Sequence, residues 1–124
     1  MYDYDTITAP AITPTIRERV ERGAAWLDSV KPDWRNAINV RILDVSESTD
    51  CVLGQVFAYE AAETDPDGWS GFEYVLNSGH FKDAAGSSLT GMWAMLHAFD
   101  NSESESYAVL TAAWQRYLTP GMWA

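Results

Sequence analysis

The 124-residue sequence holds a single cysteine, Cys51, two histidines, and only eight lysines and arginines against 18 aspartates and glutamates. One cysteine excludes an internal disulfide and fits a reducing compartment. The shortage of cations leaves a formal net charge of −10. A field of that sign repels phosphates, so direct nucleic-acid binding through a basic face is not expected. No apolar run approaches the ~20 residues that span a bilayer, and no membrane association is expected. The opening Met1-Tyr2-Asp3-Tyr4-Asp5 is acidic and lacks a basic stretch followed by an apolar one, which argues against a secretory signal. These features together point to a cytoplasmic protein.

Several catalytic signatures are missing as well. There is no glycine-rich phosphate loop, no Gly-x-Ser-x-Gly elbow and no His-Glu-x-x-His. Cys-x-x-Cys and His-x-x-x-His pairs are also absent, so Cys51, His80 and His97 do not read as a zinc site. Glu63-x-Asp65-x-Asp67-Gly68 fits the first half of a calcium loop, but Tyr74 stands where the bidentate glutamate is required. A solvated turn is the better reading. Neither a metal nor a cofactor is expected.

What the chain does have is aromatic mass. Hydrophobic residues make up 47% of it, with six tryptophans and six tyrosines. Large aromatics contribute much apolar area each, so one domain of this length can build a substantial core. Residues 1–13 lack periodicity and read as an extended arm, leaving 14–124 as a single helical domain. Thr13-Pro14 offers a cap followed by proline at the first helical position. Thr15-Ile16-Arg17-Glu18 reads as a capping box. Ile16, Val20, Gly23, Ala24, Leu27 and Val30 then form one apolar stripe, and Lys31-Pro32 ends the helix.

The stretch 40–45 alternates weakly and reads as a short strand or extended segment. Ser48 or Asp50 is placed to cap a helix from about 50 to 62, with Val52, Val56 and Tyr59 on one face beside Leu53 and Phe57. Gly54 in its middle suggests a close crossing by a neighbour such as the Gly23-Ala24 face. Further helices are expected over about 69–78, with Phe72, Val75 and Leu76 at core spacing, and 88–98, with Leu89, Met92, Trp93 and Leu96 at helical spacing. Ser102-Glu103-Ser104-Glu105 reads as a second capping box ahead of a last helix carrying Tyr107, Leu110, Trp114, Tyr117 and Leu118. The expected fold is mainly α, a bundle of four to five short helices.

Cys51 is the candidate nucleophile, since a thiolate at a helix N-terminus is activated. It needs a base, and only His80 and His97 exist. Asp50 beside it disfavours the thiolate, and a buried thiol acting as a small hydrophobe is the simpler reading. The acidic turn with Asp65, Asp67 and Trp69, and the acidic linker with Glu103 and Glu105, are the candidate protein-binding residues, because aromatic anchors beside charges are common at interfaces. The partner expected for them is a protein with a basic patch. An exposed apolar face at Trp123 or the last helix would instead support self-association.

The run from Arg19 to Asp28, then Pro32-Asp33-Trp34, Cys51-Val52-Leu53-Gly54-Gln55-Val56-Phe57 and Tyr107-Ala108-Val109-Leu110-Thr111-Ala112-Ala113-Trp114, resembles small uncharacterised proteins of actinobacterial phages and their hosts' genomes. The resemblance spans about residues 16–118. It implies an intracellular phage accessory protein that acts on a host or defence protein. It brings no catalytic residues with it. The functional expectation is a small acidic, non-enzymatic protein-binding module. A cysteine-dependent enzyme and an oligomerising protein are the alternatives.

Overall fold

The capping box at Thr15 starts the first helix as its spacing predicts. The Glu18 amide donates to Thr15 Oγ1 at 3.1 Å and the Thr15 amide donates to Glu18 Oε1 at 2.8 Å. This computed structural model describes residues 15–65 and 68–123. The expected arm over 1–13 and the Thr13-Pro14 cap lie outside the described residues. Helix α1 (Ile16–Val30) is closed by Lys31, whose amide donates to the Leu27 carbonyl. A 3-10 turn follows (Trp34–Ala37). Then come α2 (Val52–Val56), α3 (Ala58–Thr64), α4 (Gly71–Asn77), α5 (Gly91–Leu96) and α6 (Tyr107–Leu118). The fold is mainly α, as expected. Among the described residues no helix is long and apolar enough to cross a membrane.

The helix expected over 50–62 is two helices, α2 and α3. They meet at Phe57, whose backbone sits at φ −108° and ψ 18°. Hydrogen bonds continue on both sides, from Phe57 to Leu53 and from Ala61 to Phe57, so the joint is a bend rather than a gap. The bend turns the buried Phe57 ring into an aromatic cluster with the half-buried Trp26 and Phe81 and the buried Tyr74, at 5.5–6.2 Å. Tertiary packing of one ring has overridden helix propensity. As a consequence Tyr59 leaves the expected core face and is 72% exposed.

The segment 40–45 is a series of turns, not a strand. The Ile42 and Leu43 amides donate three residues back. The segment is fastened to α6 by side chains instead. The Val45 amide donates to Thr111 Oγ1 at 2.9 Å, and Gln115 Nε2 donates to the Val40 carbonyl at 3.3 Å. With backbone groups satisfied in this way, no strand partner is needed. The only β-type pairing among the described residues is an isolated bridge between Lys82 and Ser88.

Glycines set the helix crossings, though not in the expected pairs. A Cβ on Gly23 would strike the His97 carbonyl and approach Phe99 and Trp114 at 3.2 Å. Gly23 therefore admits the end of α5, not α2. A Cβ on Gly54 would strike the Ser48–Thr49 backbone, and one on Gly71 would strike the Leu53 carbonyl and the Gly54 backbone. Gly71 is the residue that lets α4 lie against α2.

Helix α1 packs on α5 and α6, while α2 packs on α3, α4 and the 3-10 turn. Between them lies one core in which Leu27, Trp34, Leu53, Leu110 and Trp114 are fully buried. Both buried indoles are satisfied, as burial requires. Trp34 Nε1 donates to Asp28 Oδ1 at 2.8 Å and Trp114 Nε1 donates to the Ala98 carbonyl at 2.7 Å. Ala98 presents that carbonyl with φ at 60°, the only positive value at a non-glycine position among the described residues. Its unusual conformation ends α5 two residues before the expected boundary at 98.

Candidate functional site

Cys51 sits at the N-terminus of α2, but as a cap. Its Sγ accepts from the Gly54 amide at 3.3 Å and donates toward the Ser48 carbonyl at 3.8 Å. The thiol thus does the capping expected of Ser48 or Asp50. The residue is 1% exposed. Burial pushes the thiol pKa up to about 11, opposed in part by the capping amide, and the Asp100 carboxylate pushes in the same direction as burial. A helix terminus alone lowers a thiol pKa; here desolvation wins.

Neither histidine bonds to Cys51. His80 lies against the Tyr74 ring at 5.6 Å. His97 stacks on Trp93 at 4.4 Å, and its Nδ1 donates to the Trp93 carbonyl at 2.8 Å. Burial holds the His97 pKa below the ordinary imidazole value. Among the described residues no group of three or more His, Cys, Asp or Glu side chains is arranged to hold a metal ion.

The acidic candidates separate into different environments. Asp65 is the C-cap of α3, its amide donating to the Ala61 carbonyl at 2.9 Å, and is half-buried. Asp67 lies outside the described residues. Trp69 is half-buried and packs against the core, so its ring is partly committed to the fold. Glu105 is not a solvent-facing acid. It grips Arg19 through both oxygens, at 3.0 Å and 2.6 Å, with side-chain exposures of 6% and 2%. It also accepts from the Ser102 amide and hydroxyl. The expected Ser102–Glu105 box forms only in half, because Ser102 Oγ accepts from the Ser104 amide rather than from that of Glu105, and α6 is capped by Ser106 instead. The Arg19 hydrogen bonds hold the Glu105 carboxyl down at about 2.

Glu103, by contrast, is exposed and lines a groove of about 470 Å³ with Gly91, Met92, Met95, Asn101, Ser102 and Ser104. Met92 is 64% exposed there, although it repeats at helical spacing with Leu89, Trp93 and Leu96. The short helix α5 explains its exposure. Thr90 caps it, and its buried position is Ala94, so Met92 falls on the outer side. The 102–105 loop forms the opposite wall. It is pinned from below by the Glu105–Arg19 pair, and Arg19 Nε also donates to the Met95 carbonyl at 2.9 Å. Arg19 therefore ties both walls of the groove to α1.

Arg19 and the two methionines are the residues that pattern reasoning missed. A signal for Arg19 was present, since it lies four residues before Gly23 on the apolar stripe of α1. Methionine exposure had no such signal, because Met92 has the spacing of a core residue. The candidates Asp65 and Trp69 do not line this groove. Trp123, proposed as a face for self-association, is folded back. Its indole donates to Glu21 at 3.0 Å and its ring meets Tyr117 edge-on at 5.2 Å. Tyr107 and Val109 on α6 remain 38% and 49% exposed.

Comparison of the chain with known protein families, with curated proteins and with solved structures finds no match in any of the three.

Proposed function

We propose that this protein is a small, acidic, non-enzymatic protein-binding module that contacts its partner through the methionine groove beside Glu103. The carrying observation is the exposed Met92 side chain opposite an exposed carboxylate in one groove. Unbranched, polarisable methionines adapt to varied apolar side chains. A rim carboxylate selects for lysine or arginine next to them, and the net charge of −10 steers a basic surface toward the groove. The partner this favours is a protein segment with an apolar residue flanked by basic ones.

In the setting the phage resemblance implies, the partner is a host or defence protein met in the host-cell cytoplasm. The enzymatic reading through Cys51 gains nothing from a buried, capping thiol with a raised pKa. Cross-linked capture from host lysate tests the proposal, run in parallel with the wild type and with Met92→Glu/Glu103→Lys. A partner enriched by the wild type and lost with the double variant is the expected result. Equal recovery by both, or no enrichment by either, would overturn the proposal. Both positions are exposed, so the variant is expected to fold.

A further inference from the structure

A second cleft, between the start of α1 and the end of α6, differs in charge from the rest of this acidic surface. Its volume is about 240 Å³ and its lining is Ile16, Arg17, Ala113, Arg116, Met122 and Trp123. Two of the chain's eight basic residues line it, and among the described residues no Asp or Glu does. Other grooves on the molecule carry Asp33 and Glu60, Glu103, or Asp100 in their linings. In a chain of 18 acids and eight bases, chance favours the opposite composition.

The walls are also held in place. The Trp123 indole donates to Glu21 at 3.0 Å, and the Arg17 guanidinium lies 4.7 Å over its ring. Glu21 pairs with Arg17 at 3.5 Å as well, so one carboxylate fixes both groups from behind. Arg116, in the last turn of α6, is exposed and makes no ion pair among the described residues.

We propose that this cleft binds a small carboxylic acid with an apolar body. The carboxylate lies on the Arg116 guanidinium, whose planar fork matches two carboxylate oxygens, with Arg17 on its flank. The apolar body lies on Ile16, Ala113, Met122 and the Trp123 ring. The apolar floor favours a carboxylate that carries an apolar body over phosphate, which has none. A volume below the ~300 Å³ of drug-sized sites limits the occupant to a small molecule. This site is separate from the methionine groove and does not depend on the proposed function.

The test is an NMR titration of the full chain, following the Trp123 indole resonance, assigned with Trp123→Phe. Phenylacetate is the probe, with phenylacetamide and inorganic phosphate as controls. Phenylacetate is expected to shift the Trp123 signal saturably. Phenylacetamide and phosphate are each expected to bind about tenfold more weakly or worse, as is phenylacetate to Arg116→Gln, from the worth of a hydrogen bond to a charged group. Arg116 is exposed, so the variant should keep the wild-type unfolding midpoint. Equal binding of phenylacetamide would show an apolar cleft without anion recognition. Equal binding of phosphate would show a charged patch without an apolar floor. Either result overturns the proposal, as does an indifferent Arg116→Gln or the lack of any saturable shift.

Discussion

Replacing Glu105 with glutamine should be among the most damaging isosteric changes in this protein. The side chain keeps its volume, but Arg19 loses its counter-charge while only 2% exposed. One of the two guanidinium bonds, at 3.0 Å and 2.6 Å, then faces an amide N–H instead of an acceptor. Removing one partner of a buried ion pair costs about 3–5 kcal/mol. The Glu105 carboxyl is lowered from 4.5 to about 2, with its Arg19 hydrogen bonds the largest cause, so the folded state favours the ionised pair. A loss of about 3–5 kcal/mol is a large fraction of the ~5–15 kcal/mol typical of a folded domain.

The pH dependence follows from the sign of the shift. A carboxylate with a depressed folded pKa contributes stability that is fully present above its unfolded value, near 4.5, and is lost as pH falls through about 2. Urea unfolding followed by tryptophan fluorescence at pH 7, 4 and 2.5 should show a wide gap between wild type and Glu105→Gln that narrows toward the acid end. Arg19→Met/Glu105→Leu should recover most of the loss, because removing both partners leaves no uncompensated charge. A gap under about 0.5 kcal/mol at pH 7, the range of ordinary surface changes, or a gap that does not vary with pH, would refute the reasoning.

Gly71→Ala should destabilise by about 1–3 kcal/mol, because its methyl meets the Leu53 carbonyl and the Gly54 backbone rather than a flexible side chain; chemical denaturation measures it, and a neutral result would mean α2 and α4 are not in close contact. Trp114→Phe should cost about 2–3 kcal/mol, from a gap in the core and an Ala98 carbonyl left unpaired, read from the same unfolding curves; a change below half a kilocalorie would count against that bond. Cys51 should resist iodoacetamide at neutral pH until the chain is unfolded, and rapid labelling of the native protein would contradict its burial. The raised thiol pKa also carries a sign: its contribution is complete below the unfolded value near 9.0 and is lost as pH climbs through about 11, so wild type should lose stability over that alkaline range relative to Cys51→Ala.

Local chemistry announced itself clearly. The Thr15–Glu18 box, the apolar stripe of α1 through Leu27 and its stop at Lys31 are where the spacing puts them, since these devices act within four residues; Val30, at the end of the stripe, is 38% exposed. The last helix, with Leu110 and Trp114 inward, was equally legible. The two shortest helices were not. Helix α2 has five residues and α5 has six, and such lengths are marginal without tertiary support. Their ends are therefore decided by what they pack against: the Phe57 ring for α2, the Ala98 carbonyl beneath Trp114 for α5. The acidic candidates show the same limit. Glu103 and Glu105 are two residues apart in one polar run, yet one is exposed at a groove and the other is locked on Arg19.

The sequence by itself determined a mainly helical domain, the Thr15–Glu18 cap that starts α1, and a strongly acidic net charge, because composition and short-range periodicity carry that information. The tertiary structure alone decided the rest. Cys51 became a buried cap, and its desolvation there outweighs the helix terminus and keeps the thiol protonated. Glu105 became a structural ion pair because an arginine 86 residues away in sequence turned toward it. The methionine groove and the arginine-lined cleft exist only where separate helices meet, and no local pattern specifies which side chains meet there.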